Sequence, residues 1–520
     1  MDGPMFARRS TLEAIAGWLA FLVPLGVYTA CLTSSVSFWD TGEMETVPYI
    51  LGIAHQTGFP VFVLMGWLFS HLLPFGTVAW RLSFMSAIAM AIAARMVFTA
   101  LRELAIPAPV ALAASWLFAF GDIVWERGTR TEVQAFATMF AAIGFACAIR
   151  WCRKADQRAL YGLFLSIGLG LATHPIELML LPGFAVVILS RFEELTARRL
   201  LTGLALAVAP LVTYVYIPLR AAYLLNHHVD PTLSLGLPPG RPFWDYNDPS
   251  SLSKFWDYIN GDKSDVNAGL AGMLSISHWG DVWSQYGSTL LAQYGPVAIA
   301  AALVGLVSSL RRWPMMTASL ALTALLPVLF VLNFDEADVE RYFLASLWLF
   351  AVFAGVGAYS VFVGLFVRNR AAGLGAATLT LLGVVVWLAT MNQGLFGQRD
   401  DHDADAFLKQ MRALTPPNAV IVANWLTAPA MGYAAYVEHS FGDRIVVAGW
   451  PTDYQSFYPN WLRRRPVFIR AENPFQLSVP GLQASLVDAA AELYAVTPVS
   501  RKGAQAREAP VHAALVVPRS

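Results

Sequence analysis

Residues 12–43 read LEAIAGWLAFLVPLGVYTACLTSSVSFWDTGE, a long apolar run followed closely by two acidic residues. A helix of about 20 apolar residues is long enough to cross the hydrocarbon core of a bilayer, and the run Leu12–Leu32 has that length. Asp40 and Glu43 therefore fall where the chain first leaves the membrane for water. An ordinary solvated loop would explain them, because loop carboxylates are common. The alternative is that catalysis takes place at this membrane surface.

The composition of the whole chain supports a membrane protein. Of its 520 residues, 57% are hydrophobic and only 13% are charged, whereas a soluble domain has about 25% charged residues. Apolar runs of span length recur along the chain, which predicts a polytopic membrane protein. The formal net charge is zero, so no bulk electrostatic attraction favours a nucleic-acid partner.

We expect an α-helical polytopic membrane domain with about eleven transmembrane helices, followed by a small soluble α/β domain. Two of the predicted spans, on either side of Thr173, are short for a full crossing. The predicted spans are Leu12–Leu32, Ala79–Leu101, Pro109–Trp125, Val133–Trp151, Leu160–His174, Pro175–Ser190, Leu200–Leu219, Leu290–Leu310, Pro314–Leu332, Phe343–Val367 and Ala371–Met391.

Basic residues orient these spans, because cytoplasmic loops are enriched in Lys and Arg. With eleven spans every basic cluster falls on one side, which places the N-terminus in the cytoplasm. The apolar stretch Val61–Leu73 is too short to cross and would reverse that order, so we place it in the membrane interface. The transmembrane domain then covers residues 1–391, with a first outer loop at 34–78 and a large outer loop at 220–289.

Residues 392–520 change in character and are predicted to form an extracytoplasmic α/β domain. The stretches AVIVAN (419–424), RIVVAG (444–449) and PVFIRA (466–471) are typical of short buried strands. They alternate with helical stretches at Ala404–Leu414 and Ala428–Glu438.

Common catalytic motifs of soluble enzymes do not occur in the sequence. It contains no phosphate loop, no GxSxG and no HExxH, so an enzyme here must use a substrate that is already activated. The three cysteines, Cys31, Cys147 and Cys152, have no metal-ligand or disulfide spacing. We expect neither a cofactor nor a bound metal.

Polar clusters gather at the predicted outer ends of the spans, and ionisable residues at a membrane boundary are candidates for function. Most of these residues also have a structural alternative. Arg130 and Glu132 could form an ion pair, and Arg220 could be a span-end arginine whose head group reaches water. His174 could be a hydrogen-bonding group at a broken helix, and the acids at 335–340 could belong to a solvated loop. The clusters contain Asp40, Glu43, Glu45 and His55; Glu126, Arg127, Arg130 and Glu132; His174 and Glu177; Arg220, Asp245 and Asp248; and Asp335, Glu336, Asp338, Glu340 and Arg341.

Several long motifs resemble the protein O-mannosyltransferase-like membrane family of the GT-C glycosyltransferase superfamily. They are FWDTGE (38–43), LGIAHQTGFP (51–60), TRTEVQAF (129–136), ATHPIELMLLPG (172–183), YVYIPLRA (214–221), FWDYNDP (243–249) and ADVERYF (337–343). The sequence departs from the family where Gln56 and Thr57 replace two prolines and where FWDYNDP replaces the commoner NWGDP. These changes affect the expected acceptor or lipid preference more than the reaction class.

The resemblance implies that a sugar, with mannose as the leading candidate, is transferred from a polyprenyl-phosphate carrier on the non-cytoplasmic side. The acceptor would be a hydroxyl of a secreted or envelope protein, or of a glycan. Asp40 matches the family's general base, and Glu43 would assist it or contact a sugar hydroxyl.

The residue types agree with that chemistry. A hydroxyl nucleophile needs a carboxylate base within hydrogen-bond reach, and a departing phosphate needs cationic partners, for which arginine offers a two-pronged donor. The predicted substrate-binding residues are Arg130, Arg220, Arg341, His55, His174, Glu132, Asp338 and Glu340.

The sequence therefore predicts a polyprenyl-phosphate-dependent glycosyltransferase of a bacterial inner membrane, with membrane lipids around it and no nucleic-acid partner. Two other classes stay open. A transporter or flippase of lipid-linked sugars would need no general base and would favour internal repeats. A non-catalytic envelope scaffold would tolerate replacement of the outer acids.

Overall fold

Helices make up most of the computed structural model, which describes residues 3–261, 279–331, 338–472 and 482–498. The helices of the N-terminal part are α1 Gly3–Cys31, α2 Trp39–Ile50, α3 Pro60–Leu72, α4 Val78–Glu103, α5 Ala108–Ala119, α6 Asp122–Gly128, α7 Val133–Lys154, α8 Gln157–Leu171, α9 Leu181–Leu189, α10 Ala197–Val208, α11 Tyr216–Asn226 and α12 Leu252–Ile259. The later helices are α13 Trp279–Arg312, α14 Pro314–Phe330, α15 Leu344–Leu365, α16 Arg370–Met391, α17 Asp403–Leu414, α18 Ala428–Tyr436 and α19 Tyr458–Trp461.

Within the described residues, seven helical segments are long and apolar enough to cross a membrane. The pair α5 and α6, bent by 73° at its break, makes up to eight. Three other predicted spans form shorter helices: residues 157–171, 175–189 and 314–330. Together with the comparisons below, this arrangement confirms the predicted fold class, a polytopic helical membrane protein.

Helix ends follow local sequence signals. The side chain of Thr77 accepts a hydrogen bond from Trp80 N at the start of α4, and that of Asp156 accepts one from Arg158 N at the start of α8. Such caps satisfy backbone N–H groups that have no partner within the helix. At its N-terminus α3 begins with Pro60, whose fixed φ suits the first helical position.

Small residues let the spans pack closely. A Cβ at Gly357 would lie 1.8 Å from Ala301 O, and one at Gly168 would lie 2.2 Å from Ala207 O. Both distances are far below a van der Waals contact, so the backbones of α13 and α15, and of α8 and α10, meet directly.

Helices α2 and α3 follow the first span and are held by later parts of the chain. Ile53 N donates to Trp244 O over 2.9 Å, and Tyr258 Oη donates to Ala54 O over 2.6 Å. The loop between α2 and α3 is therefore fixed by the segment that the sequence predicted as the large outer loop.

A five-stranded sheet forms the core of the C-terminal region, in the order β2-β1-β3-β5-β4. The strands β1, β2 and β3 are parallel and match the three predicted stretches, while β5 and β4 extend the sheet in antiparallel fashion. Their bounds are β1 Val420–Ala423, β2 Ile445–Ala448, β3 Val467–Arg470, β4 Leu482–Asp488 and β5 Leu493–Pro498. The domain boundary at residue 391 coincides with the end of α16 and stays a prediction.

The C-terminal region packs directly on α2 and on the first turn of α4. Trp39 N donates to Leu426 O over 3.1 Å, and Ala79 N donates to Tyr433 Oη over 3.1 Å. At the contact, a Cβ on Gly42 would lie 2.3 Å from Ser37 O and 3.1 Å from Pro429 Cβ. Helix α2, which carries Asp40, is thus positioned by contacts with both the predicted large outer loop and the C-terminal region.

Candidate active site

Asp40 lies in the first turn of α2, and its carboxylate contacts two side chains from distant parts of the chain. Its Oδ1 accepts a hydrogen bond from the indole Nε1 of Trp425 over 2.7 Å. Its Oδ2 lies 3.4 Å from Nη1 of Arg341. The Asp40 side chain is 37% exposed, so it remains accessible to a substrate while its orientation is fixed.

Several nearby groups keep the Asp40 carboxylate ionised. Burial raises its pKa, but the charge of His55, the Trp425 hydrogen bond and Arg341 outweigh burial and place the pKa below its ordinary value. The N-terminal position in α2 adds the favourable end of the helix dipole. An ionised carboxylate that is half open to solvent can accept a proton from a hydroxyl.

Glu43 and His55 form a buried pair behind Asp40. Glu43 is fully buried, and its Oε1 accepts a hydrogen bond from His55 N over 2.8 Å while its Oε2 pairs with His55 Nδ1. Burial lowers the pKa of His55, but Glu43 and Asp40 outweigh it and raise that pKa to about 9. His55 is therefore an imidazolium at neutral pH, and Glu43 faces His55 rather than an incoming substrate.

Aromatic rings surround His55 and lead to the next predicted histidine. The ring of His55 packs edge-on against Phe59 with centroids 5.0 Å apart, and Phe59 stacks on His174 at 5.4 Å. His174 in turn lies 5.7 Å from the ring of Tyr342. His174 Nδ1 accepts a hydrogen bond from Ile176 N. This contact fits the structural alternative for His174, a hydrogen-bonding group at a broken helix. When the ring is neutral, its proton is therefore on Nε2.

Arg341 contacts Asp40 and also lines a small cavity. Its guanidinium lies over the Tyr342 ring at 5.2 Å from the centroid, and its side chain lines the cavity together with residues of α7 and of the turn at 175–180. The neighbouring Glu340 accepts a hydrogen bond from Gln285 Nε2 over 2.9 Å, which ties this segment to α13. Arg341 is thus placed between the base and a concave site.

Arg130 lies in a different cluster, in which carboxylates outnumber guanidinium groups. Arg127 is buried and pairs with Glu132 at 3.0 Å and with Asp338, and Arg130 Nη2 lies 3.1 Å from Asp338. Glu126 also contacts Arg130 at 3.0 Å. These arginines have their charge compensated locally, so the geometry favours the structural alternative for Arg130, Glu132 and Asp338 over binding a phosphate.

Arg220 also makes structural contacts. Its Nε donates to Leu51 O over 2.7 Å, its Nη2 donates to Ile50 O over 3.2 Å, and its guanidinium lies over the Tyr223 ring. Because the last carbonyls of a helix have no intrahelical partner, this arginine caps the C-terminal end of α2. It supports the helix that carries Asp40 rather than facing Asp40 itself.

The remaining acidic predictions fall into loops or outside the described part of the chain. Asp245 accepts a hydrogen bond from Gly240 N over 3.0 Å, and Asp248 pairs with Lys254. Asp335 and Glu336 lie outside the described residues.

One residue of the site, Trp425, is not among the sequence candidates, and another, Arg127, is among them without a role of its own. Trp425 follows the carboxyl end of β1, and ligand-contacting residues of parallel sheets often lie at such ends, so that position was the available signal. The sequence places Arg127 in the same polar cluster as Arg130 but does not distinguish the two, because it does not show which of two nearby arginines is buried.

Comparison with known proteins confirms the resemblance that the motifs predicted. Residues 40–198 match the family described as the protein O-mannosyl-transferase TMEM260 N-terminal domain. The chain is 24% identical over 430 residues to protein O-mannosyl-transferase tmem260 of Dictyostelium discoideum, covering 74% of this chain and 50% of that protein. It is 26% identical over 488 residues to protein O-mannosyl-transferase TMEM260 of Mus musculus, covering 87% of this chain and 65% of that protein. The chain therefore spans half to two thirds of the length of these curated relatives.

Solved structures show the same fold. The structure of ArnT from Cupriavidus metallidurans in the apo state aligns with a TM-score of 0.58 at 12% identity, covering 93% of this chain and 98% of that chain. The structure of the same protein bound to undecaprenyl phosphate aligns with a TM-score of 0.57 at 12% identity, covering 92% and 97%. At this identity the likeness shows that the chain shares the fold of ArnT.

Proposed function

We propose that this protein is a glycosyltransferase that moves a sugar from a polyprenyl-phosphate carrier to a hydroxyl group at the outer membrane surface. The observation that carries the proposal is the environment of Asp40, an ionised and partly open carboxylate held by Trp425 and Arg341. The relatives' names, which specify O-mannosyl transfer, support mannose as the sugar and a protein as the acceptor.

In the proposed reaction, Asp40 accepts the proton of the acceptor hydroxyl. The oxygen then attacks the anomeric carbon of the donor sugar, and the bond between that carbon and the phosphate oxygen breaks. Polyprenyl phosphate leaves with the bonding electrons, so no nucleotide is required at the site. Arg341 is the arginine best placed to receive the developing phosphate charge, because a guanidinium matches phosphate oxygens.

Glu43 and His55 hold the base in its reactive state. The buried Glu43 carboxylate keeps His55 charged and in place, and the charge of His55 lowers the pKa of Asp40. This assigns Glu43 an indirect part rather than contact with a sugar hydroxyl.

The experiment that tests this function uses purified protein reconstituted in sealed liposomes. It is supplied in turn with radiolabelled polyprenyl-phosphate mannose and with other polyprenyl-phosphate sugars, and with a peptide rich in serine and threonine. Transfer of label to the peptide supports the proposal. Release of intact lipid-linked sugar across a sealed bilayer, without transfer, would instead support a transporter.

The site must lie on the non-cytoplasmic face for this chemistry, and we propose a bacterial inner membrane as its location. Reporter fusions after Arg158 and Arg312 should then report the cytoplasm, and a fusion after Gln398 should report the outside. An external signal after Arg102 would mean that residues 61–73 cross the membrane and that the proposed orientation is wrong.

A further inference from the structure

The short segment that carries Arg341 is anchored at its start by Asp338. It forms a 3-10 helix, Val339–Phe343, that begins directly after Asp338. Arg341 N donates to Asp338 O over 3.4 Å, so the backbones of these two residues are joined within the same turn. The Arg341 side chain contacts the candidate base, with its Nη1 3.4 Å from Asp40 Oδ2. The contacts that fix Asp338 therefore influence where the guanidinium of Arg341 lies.

Asp338 forms a two-pronged ion pair with Arg127 of α6. Arg127 Nη1 donates to Asp338 Oδ2 over 2.8 Å, and Arg127 Nη2 pairs with Asp338 Oδ1. The Arg127 side chain is only 2% exposed, so its guanidinium is fixed within the helical core. A two-pronged contact between a guanidinium and a carboxylate fixes orientation as well as distance. The carboxylate of Asp338 is thus held in one place by a buried cation.

The short helix depends on such external contacts for its position. Hydrogen bonds of a 3-10 helix have poorer geometry than those of an α-helix, so short pieces contribute little stability of their own. Val339 and Phe343 are buried, and the ring of Phe343 packs edge-on against Tyr286 of α13 with centroids 5.2 Å apart. This apolar packing holds the helix against the bundle, while the ion pair of Asp338 fixes its N-terminal end.

The contacts of this segment lead from the buried cluster of α6 to the candidate base. We infer that Asp338 is a positioning residue for the reaction: its ion pair with Arg127 places the guanidinium of Arg341 beside Asp40. The cluster around Arg127 then contributes to binding of the lipid phosphate without touching the substrate. The inference rests on the proposed function, in which Arg341 receives the phosphate, and adds a residue that acts through Arg341.

Glu126 provides a matched control, because it is an acid of the same cluster. Its carboxylate lies 3.0 Å from Arg130 Nη1 and 3.9 Å from Arg127 Nε. The Glu126 side chain is 33% exposed, against 40% for Asp338. It lies on α6, however, and not on the segment of Arg341. Asp338→Asn and Glu126→Gln each remove one negative charge from the cluster, so a difference between them reflects the connection of Asp338 to Arg341.

The test measures the Kd of polyprenyl phosphate for the purified protein in detergent, which does not depend on sugar transfer. Asp338→Asn should weaken binding by about tenfold or more, the scale of a lost hydrogen bond to a charged group, while Glu126→Gln binds like wild type. In an Arg341→Ala background, Asp338→Asn should change the Kd less than about twofold, because residues that act through one another are not additive. Equal Kd values for Asp338→Asn and Glu126→Gln, or the same loss in both backgrounds, would overturn the inference.

The stability of the variants is measured alongside binding. Arg127 keeps Glu132 as a partner in Asp338→Asn, so this variant should fold, with a melting temperature close to that of Glu126→Gln. Asp338→Glu retains the charge that pairs with Arg127 and should bind polyprenyl phosphate more tightly than Asp338→Asn does. The reverse order of these two variants would also overturn the inference.

Transfer assays separate this inference from the proposed function. If the binding pattern holds but wild type transfers no sugar, the role of Asp338 stands and the proposed enzyme activity fails. If wild type transfers sugar, Asp338→Asn should raise the KM for the lipid-linked donor and leave the KM for the acceptor peptide unchanged. Transfer in which Asp338→Asn and Glu126→Gln both keep the parental donor KM would overturn the inference and leave the proposed function intact.

Discussion

The indole Nε1 of Trp425 donates a hydrogen bond to Asp40 Oδ1 over 2.7 Å, although the two residues lie 385 positions apart in the chain. This contact makes the C-terminal region part of the candidate active site. Trp425→Phe keeps an aromatic ring and removes the donor. A hydrogen bond to a charged group contributes about 1.5–3 kcal/mol, so we expect kcat for sugar transfer to fall by roughly 10- to 150-fold.

The control for this prediction is Trp450→Phe, which changes a half-exposed tryptophan of the same C-terminal region. Steady-state transfer kinetics of both variants provide the comparison. Equal activity of Trp425→Phe and Trp450→Phe would show that the indole does not position the base.

Arg341 and Arg220 should separate into a donor-binding role and a structural role. Arg341→Ala should raise the apparent KM for the lipid-linked donor with little loss of thermal stability. Arg220→Ala should lower the melting temperature, because two carbonyls at the end of α2 lose their donor. Arg399→Ala, which alters an exposed arginine, is the control, and a donor KM unaffected by Arg341→Ala would contradict the assignment.

Arg127 should be the most sensitive arginine for folding. It is buried between Glu132 and Asp338, and removing one partner of a buried ion pair costs about 3–5 kcal/mol because the other charges stay uncompensated. We expect Arg127→Leu to lower the yield of folded protein sharply, measured by size-exclusion chromatography in detergent. Arg130→Leu, at a more exposed position, should have a smaller effect, and the reverse order would contradict this interpretation of the cluster.

The pair of Glu43 and His55 gives stability a defined pH dependence. Because the pKa of His55 rises from 6.5 to about 9 in the folded protein, the folded protein binds this proton more tightly than the unfolded protein does. The contribution of protonated His55 to the free energy of unfolding is fully present below pH 6.5 and is lost as pH rises through about 9. Melting temperatures from pH 6 to pH 10 should fall more steeply in wild type than in His55→Gln, and parallel curves would contradict the ion pair.

The sequence predicted the parts of the fold that depend on local patterns. Apolar runs marked the spans, and AVIVAN, RIVVAG and PVFIRA marked the three parallel strands, because buried strands are continuously hydrophobic. The strands β4 and β5 were not predicted, since β4 is largely exposed and lacks a buried run.

The candidate site was only partly predictable from the sequence, because several of its contacts depend on tertiary packing. The motif FWDTGE identified Asp40 and Glu43 by their place after the first span. The orientation of Glu43 toward His55, however, depends on the return of the chain after α2. Trp425 and Arg341 reach Asp40 through tertiary packing over hundreds of residues, and no local pattern encodes that contact.

The central claim, that Asp40 is the general base, is tested most directly by the rate of sugar transfer in Asp40→Asn. This change keeps the side chain's size and an oxygen for Trp425 but removes the proton acceptor, so the protein should fold normally. General-base assistance is worth about 100- to 10,000-fold. We predict a fall of that size in kcat, with Asp400→Asn, at an exposed position, retaining the parental rate. Transfer by folded Asp40→Asn at the parental rate would contradict the account.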